Sequence, residues 1–315
     1  MATTKSKKTT TRKTTKSASK PKSAATKTTK VVAAPVAAQT SDEKPFKGFF
    51  ARKYDEGETI LTIFKSPRIY GAIIGEIVGT MLLTLILLTL GVYQPLYIMF
   101  GVIAISAAVF AFSGANLNPI VTLGMMVSRR MSVIRGIVYM LSQVVGAWLA
   151  YVIASAFING AGAGALAELP VMSEVAPEQF WMITMLELVG AIILAFFYAR
   201  ARAYKRSTLT FAVIYGTGIC VAMLFVIVMS SSFLGLQNNF ILNPAAAFMY
   251  QILPSKGGEF GTVFGDICLA LLTYVILPMV GGAIGFVISD VAGRLSGEKA
   301  CCGCKECEAK KLARK

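Results

Sequence analysis

Two Asn-Pro pairs are the residues of this 315-residue chain whose type and position most clearly indicate chemistry. Asn118-Pro119 and Asn243-Pro244 each open a short apolar stretch. Proline suits the first turn of a helix, because its missing N–H would be unpaired there, and asparagine is a good N-cap. We therefore expect two short helices whose positive dipole ends converge and whose Asn amides point N–H donors at one place.

Such an arrangement would act on water. Two donors that face one water oxygen orient that water, so it cannot easily relay a proton, and paired positive helix ends repel cations. Glu76 and Glu187 lie inside long apolar stretches, where an ionised carboxylate costs about 2.5–3.5 kcal/mol on insertion scales. We expect each carboxylate to brace one short stretch by accepting hydrogen bonds from its backbone.

Several kinds of chemistry are excluded by composition. The chain contains no histidine, which rules out Ser-His-Asp and Cys-His catalysis as well as histidine-ligated metals. The apolar portion shows no nucleophile–base pair, phosphate-binding loop or dinucleotide motif. We therefore expect neither an enzyme nor a cofactor.

Charge and hydrophobicity divide the chain into three parts. Hydrophobic residues make up 55% and charged residues 15%, against about 45–50% and about 25% in soluble domains. Residues 1–53 carry 14 Lys+Arg and 2 acids, residues 294–315 carry 7 and 3, and residues 54–293 carry 10 and 11. The net charge of +15 thus lies in two tails. This pattern excludes a basic globular domain and predicts an all-α membrane domain at 54–293 between basic tails.

The apolar runs predict six transmembrane helices and two re-entrant half-helices. Two stretches, about 118–127 and 243–252, are too short to span, whereas six runs reach about 20 residues. Arginines cluster after the first short stretch and between the fourth and fifth spans, so both termini are expected in the cytoplasm and the protein in the plasma membrane. The six predicted spans are 69–92, 97–115, 134–157, 180–199, 209–230 and 263–290.

The two halves of the membrane domain resemble each other. Glu76-Ile-Val-Gly-Thr in the first span matches Glu187-Leu-Val-Gly-Ala in the fourth. Each half continues with a second span, an Asn-Pro stretch and a third span. Because three spans reverse the direction of entry, the second half must be inverted relative to the first.

The tails allow more than one interpretation. Residues 1–30 hold ten Lys/Arg and no acid, so we expect disorder and either contact with anionic lipid or a solvated tail that only helps to fix topology. Nucleic acid is not an expected partner. The cysteine cluster of the C-terminal tail is a weak candidate for a soft metal or for lipid attachment, and its spacing is too tight for a paired Cys-x-x-Cys zinc site. Its members are Cys301, Cys302, Cys304 and Cys307.

The motifs carry a family resemblance over about 68–292. Ser113-Gly-Ala-Asn-Leu-Asn-Pro-Ile-Val-Thr122 and Leu242-Asn-Pro-Ala245 resemble the two Asn-Pro-Ala boxes of the major intrinsic protein family, the aquaporins and glycerol facilitators. Gln143-Val-Val-Gly-Ala147 resembles the family's third-span signature. The resemblance implies a pore in each protomer of a homotetramer. It also implies a pore midplane formed by Asn118, Pro119, Ile120, Asn243, Pro244 and Ala245.

Three departures from the family pattern affect the expected selectivity. Ile120 replaces the alanine of the first box, Asn116 replaces its histidine, and Ala246 stands where the family has the arginine of its outer filter. By spacing, the outer filter would consist of Ile98, Ser231, Phe240 and Ala246. These side chains are uncharged and partly small, so the resemblance implies a wide passage for water and small neutral solutes of the glycerol, urea or ammonia class.

Two other functions remain open from the sequence. An inverted repeat with broken helices also suits a secondary transporter, although the apolar part contains no titratable relay beyond Glu76 and Glu187. A non-conducting membrane scaffold, with the basic N-terminal tail as its working part, is the other alternative. Substrate-dependent saturation would favour the transporter, and loss of activity on removal of residues 1–53 would favour the scaffold.

Overall fold

A computed structural model describes residues 59–90, 94–160, 179–203, 207–234, 240–249 and 267–296. The predicted N-terminal tail and the four clustered tail cysteines lie outside these ranges, so the expectations for them stay predictions.

All regular secondary structure in the described ranges is helical, as predicted. Two segments are π-helical: Met229–Leu234, which follows Val228 at the end of an α-helix, and Leu272–Ile276, which precedes the last α-helix. The α-helices are α1 (Ile60–Ile63), α2 (Pro67–Leu90), α3 (Pro95–Ser113), α4 (Pro119–Val127), α5 (Val133–Gly160), α6 (Phe180–Ala203), α7 (Thr208–Val228), α8 (Pro244–Ala247) and α9 (Leu277–Leu295).

Six helical segments of the described chain are long and apolar enough to cross a membrane, which confirms the six predicted spans. Helices α2, α3 and α6 qualify over their whole length. The other three segments are Val133–Phe157, Thr208–Ser232 and Ile267–Leu295. Large apolar side chains cover their outer faces; Phe100 and Leu141, for example, are each 63% exposed. Such a surface fits contact with lipid chains rather than water.

The two halves repeat the same helix contacts. Helix α2 packs on α5, and α6 packs on α9. A Cβ atom at Gly146 would collide with the carbonyl oxygen of Ile77, and one at Gly281 would collide with that of Leu188. Ile77 and Leu188 directly follow the two intramembrane glutamates, so the contacts are equivalent. Glycine at both positions lets the helix backbones approach closely, and the match agrees with the internal repeat.

Both short helices begin at the predicted prolines. The side-chain oxygen of Asn118 accepts a hydrogen bond from Ile120 N at 2.9 Å. That of Asn243 accepts one from Ala245 N at 3.1 Å and a longer one from Ala246 N at 3.5 Å. The two asparagines therefore cap α4 and α8. Helix α4 ends where predicted, whereas α8 has four α-helical residues and the described chain continues only to 249.

Candidate functional site

The two Asn-Pro elements meet inside the helix bundle and bond to each other reciprocally. Asn118 Nδ2 donates to the carbonyl oxygen of Leu242 at 2.7 Å, and Asn243 Nδ2 donates to that of Leu117 at 3.3 Å. Both asparagines are buried, with 0% and 2% of their surface exposed. Each amide thus caps its own half-helix through oxygen and holds the opposite half through nitrogen.

The leucines that accept these bonds have left-handed backbone conformations. Leu117 has φ 60° and Leu242 has φ 50°. A left-handed conformation costs an L-residue about 1–2 kcal/mol, and strain of this kind clusters at functional sites. It occurs at the same position in both halves, directly before the capping asparagine, and no local sequence signal announces it. The strained turns present each leucine carbonyl to the asparagine of the other half.

Glu76 holds the backbone of the first re-entrant segment, which consists of residues 114–118 and half-helix α4. Its two carboxylate oxygens accept hydrogen bonds from Asn116 N at 3.0 Å and Leu117 N at 2.8 Å. Gln143 Nε2 on α5 donates to the same carboxylate at 2.7 Å and to Thr122 Oγ1 on α4 at 2.9 Å. Glu76 and Gln143 are both completely buried. Three donors converge on the one carboxylate, which offsets the cost of burying it.

Glu187 holds the second re-entrant segment, which consists of residues 240–243 and half-helix α8, with fewer partners. It accepts from Ile241 N at 2.6 Å and from Leu242 N at 3.2–3.3 Å. Among the described residues no side chain donates to it. Gln143 lies three residues before Gly146, and the residue three before the equivalent Gly281 is Pro278, which has no side-chain donor. The two halves therefore share their carboxylates but differ in the support that those carboxylates receive.

Two tyrosines bond to the other side of the first segment. Tyr198 OH on α6 shares its one hydrogen between Asn116 Oδ1 at 2.8 Å and Gly114 O at 3.1 Å. Tyr215 OH on α7 donates to Asn116 O at 3.0 Å. The two rings meet edge to face, 4.8 Å apart, and both are fully buried. Asn116, which replaces the box histidine, is thus held by two hydroxyl groups.

The remaining midplane residues are packed tightly. Pro119, Ile120, Pro244 and Ala245 are all buried. A Cβ atom at Gly282 would collide with the carbonyl oxygen of Ile120. The larger Ile120 side chain is therefore accommodated beside a glycine of the last span.

The four predicted outer-filter positions do not share one environment. Ile98 and Ala246 are completely inaccessible to water, and Phe240 is 3% exposed. Ser231 is exposed, and its hydroxyl donates to Ile227 O of its own helix at 2.7 Å. The three buried side chains pack within the apolar core of the described residues, which leaves at most 3% of the surface of each exposed to water. This differs from the wide passage that their size suggests.

An ion pair closes the far end of α4. Arg130 Nη2 lies 2.6 Å from Asp290 Oδ1 on α9, and Arg130 Nη1 donates to Ala199 O on α6 at 3.1 Å. The guanidinium also lies over the ring of Phe286, 5.4 Å from its centroid. Sequence reasoning used Arg130 only as a topology signal and did not include Asp290. The available signal was an acid at the very end of the last predicted span, 263–290.

Sequence reasoning also missed the roles of Gln143, Tyr198 and Tyr215. Gln143 was noticed only as part of a motif, although a glutamine within a spanning helix indicates a hydrogen-bonding role. The tyrosines lie in apolar stretches with no distinguishing pattern. Among the described residues, no group of three or more His, Cys, Asp or Glu side chains could hold a metal ion.

Comparison with known proteins gives one clear result. No curated protein matches the chain significantly. A family model described as "Major intrinsic protein" matches residues 63–289, which include both Asn-Pro elements and all six spans except the C-terminal end of the last. Proteins of that family are membrane channels rather than enzymes. The chain therefore belongs to the major intrinsic protein family and is an integral membrane channel for water or small solutes.

Proposed function

We propose that the chain is a passive channel for water together with small neutral solutes of the glycerol, urea or ammonia class, with one pore in each protomer. The observation that supports this best is the reciprocal bonding of Asn118 and Asn243. An amide NH₂ group has two donors, and among the described residues each amide uses one of them, on the leucine of the opposite half. The second N–H of each is the donor we assign to the passing solute.

Proton exclusion would rest on this pair alone. The two half-helices begin at the asparagines, so their positive ends are directed at the same region. Ala246 supplies no charge at the position of the family's filter arginine. A water oxygen that already accepts two hydrogen bonds cannot easily accept a third from a neighbouring water. The chain of hydrogen-bonded waters along the pore is therefore interrupted at this point.

The arrangement of charge supports the proposed orientation. Within the described ranges every lysine and arginine lies before α2, at its first turn, between α4 and the first turn of α5, or in the last turns of α6 and α9. With alternating spans, all of these positions lie on one side of the membrane. We propose that this side is cytoplasmic, that the protein resides in the plasma membrane, and that it assembles as a homotetramer.

Stopped-flow light scattering of proteoliposomes tests the proposal, with sucrose, glycerol and urea as osmolytes and a proton-sensitive dye in parallel. We expect fast water flux and glycerol entry, both non-saturating, without proton leak. Saturation or uphill accumulation would instead indicate a transporter. A rapid proton or cation leak would show that a pore without the filter arginine conducts ions. Absence of flux would contradict the channel proposal, and a variant lacking residues 1–53 is expected to conduct like the full chain.

A further inference from the structure

The internal repeat gives each residue of one half an equivalent in the other. A Cβ atom at Gly101 on α3 would collide with Ile86, and one at Gly218 on α7 would collide with Phe197. Ile86 and Phe197 each lie ten residues after the intramembrane glutamate of their half. Gly101 and Gly218 are therefore equivalent positions.

Tyr215 consequently occupies the position of a filter residue. It lies three residues before Gly218, as Ile98 lies three residues before Gly101. Ile98 is the first predicted outer-filter position. Because the halves are inverted, Tyr215 stands at the corresponding depth on the other side of the Asn118–Asn243 pair, in the half that we call inner.

Tyr198 also has an equivalent in the outer half. It lies eleven residues after Glu187, and its equivalent, eleven residues after Glu76, is Leu87. Thus two aliphatic side chains of the outer half correspond to two tyrosines of the inner half. At these two positions the hydroxyl groups distinguish the inner half from the outer half.

Those hydroxyl groups occupy the carbonyls of the first re-entrant segment. Its N–H groups at Asn116 and Leu117 are held by Glu76, whereas Gly114 O and Asn116 O accept from Tyr198 and Tyr215. A solute passing this segment would need those same carbonyl oxygens as acceptors. Both rings are completely inaccessible to water.

The second re-entrant segment differs at the equivalent of Asn116, which is Ile241. Among the described residues no donor reaches the carbonyl oxygen of Ile241. A small apolar pocket lies against this segment instead. It is lined by Met223, Val226, Ile227, Phe240, Ile241 and Leu242.

We propose that Tyr198 and Tyr215 form a second constriction of the pore, in its inner half, and that this constriction sets the size of the solute that passes. The inference rests on the proposed channel function and deepens it. Because both rings are inaccessible to water in the structure, a water molecule passes only when a tyrosine hydroxyl swings away from the carbonyl oxygen that it holds. A polyol the size of glycerol must displace a ring that is packed edge to face against its neighbour.

The test compares water and glycerol permeability of proteoliposomes, per folded channel, for three substitutions. Tyr215→Ile introduces the side chain of its equivalent Ile98, and Tyr198→Leu introduces that of its equivalent Leu87. We expect each to raise glycerol permeability at least fivefold, with a smaller rise for water. Tyr215→Phe keeps the ring and frees the Asn116 carbonyl, so we expect at least a twofold rise in water permeability even if the larger changes reduce folding.

Tyr139→Phe is the matched control. Tyr139 on α5 is also buried, and its hydroxyl donates to Ser113 O of the same segment at 3.1 Å, but it is not equivalent to a filter position. We expect its permeabilities to equal those of the wild type. If the wild type conducts and all three test variants have its water and glycerol permeabilities, the inner-constriction proposal is wrong and the channel proposal stands. Equal changes in permeability for the control and the test variants would also contradict the inner constriction. Absence of flux in every protein would contradict both proposals.

Discussion

Arg130 and Asp290 are joined by an ion pair of 2.6 Å that connects the end of half-helix α4 to the last span. The backbone at the end of α4 directs the Arg130 side chain toward this contact. Arg129 has φ 53°, and the N–H groups of Arg129 and Arg130 donate to Met126 O and Met125 O, which closes α4 with a Schellman-type cap. The cap turns the chain so that the Arg130 side chain lies between α6 and α9. The half-helix is thereby held at both ends.

We expect Arg130→Gln and Asp290→Asn each to destabilise the protein by about 1–3 kcal/mol, since a charge-assisted hydrogen bond is lost and its partner stays partly buried. The side chain of Asp290 is 4% exposed and that of Arg130 19%. Thermal unfolding in detergent measures the effect. The double variant Arg130→Gln/Asp290→Asn serves as the control, because it removes both charges of this pair. A double variant that loses as much as the two single variants together would show that the residues act independently.

The hydrogen bonds of Glu76 predict a graded response. Asn116 N and Leu117 N bond to different oxygens of Glu76, so Glu76→Gln keeps an acceptor for one of them and places an NH₂ group at the other. The amide of Gln143 can turn to offer that NH₂ group its oxygen, which has no partner among the described residues. We therefore expect a loss of about 1 kcal/mol and retained conduction. Glu76→Leu leaves both N–H groups unpaired and is expected to cost at least about 3 kcal/mol. Melting temperature and water permeability are the measurements.

A complete loss of folded protein for Glu76→Gln would mean that the negative charge itself is required. Glu187→Gln is the matched comparison in the second half. Since no described side chain donates to Glu187, its glutamine variant needs no rearrangement of a neighbour and is expected to be milder than Glu76→Gln.

Substitutions of the capping asparagines separate capping from donation. Asn118→Asp keeps an oxygen for Ile120 N but removes the donor to Leu242 O and places a negative charge between the half-helices. We expect at least a tenfold rise in proton leak, measured with a pH-sensitive dye in proteoliposomes. Asn118→Ala removes cap and donor together and is expected to cost about 1 kcal/mol for the cap alone. Unchanged leak for both Asn118→Asp and Asn243→Asp would refute the two-donor model.

Ala246 tests the outer filter. If position 246 borders the solute path, Ala246→Arg restores the charge of the family pattern and narrows the passage. We expect glycerol permeability to fall severalfold and water permeability to fall less. Ala246→Met supplies similar length without charge and shows which part of the effect comes from bulk. Equal reduction of water and glycerol by both variants would indicate that residue 246 does not face the solute.

The fold could be predicted because its signals are local. Apolar run length predicted the six spans, and the Asn-Pro pairs predicted where the half-helices begin. The partners inside the site could not be predicted in the same way. Arg130 and Asp290 are 160 residues apart, and Tyr215 reaches Asn116 across 99 residues. Contacts of this kind depend on the packing of whole helices, and no local pattern distinguishes Tyr198 or Tyr215 from other aromatic residues of a span.

The left-handed turns at Leu117 and Leu242 have a consequence for the order of assembly. Each turn is held by an asparagine that belongs to the other half, so neither can be completed by its own half alone. The spans can insert one after another, because their backbone bonds are internal. The two re-entrant segments must settle together, late and cooperatively. One half of the protein, made on its own, is expected to insert its three spans into the membrane. Its short helix is expected to pack in its native position only when the other half is present.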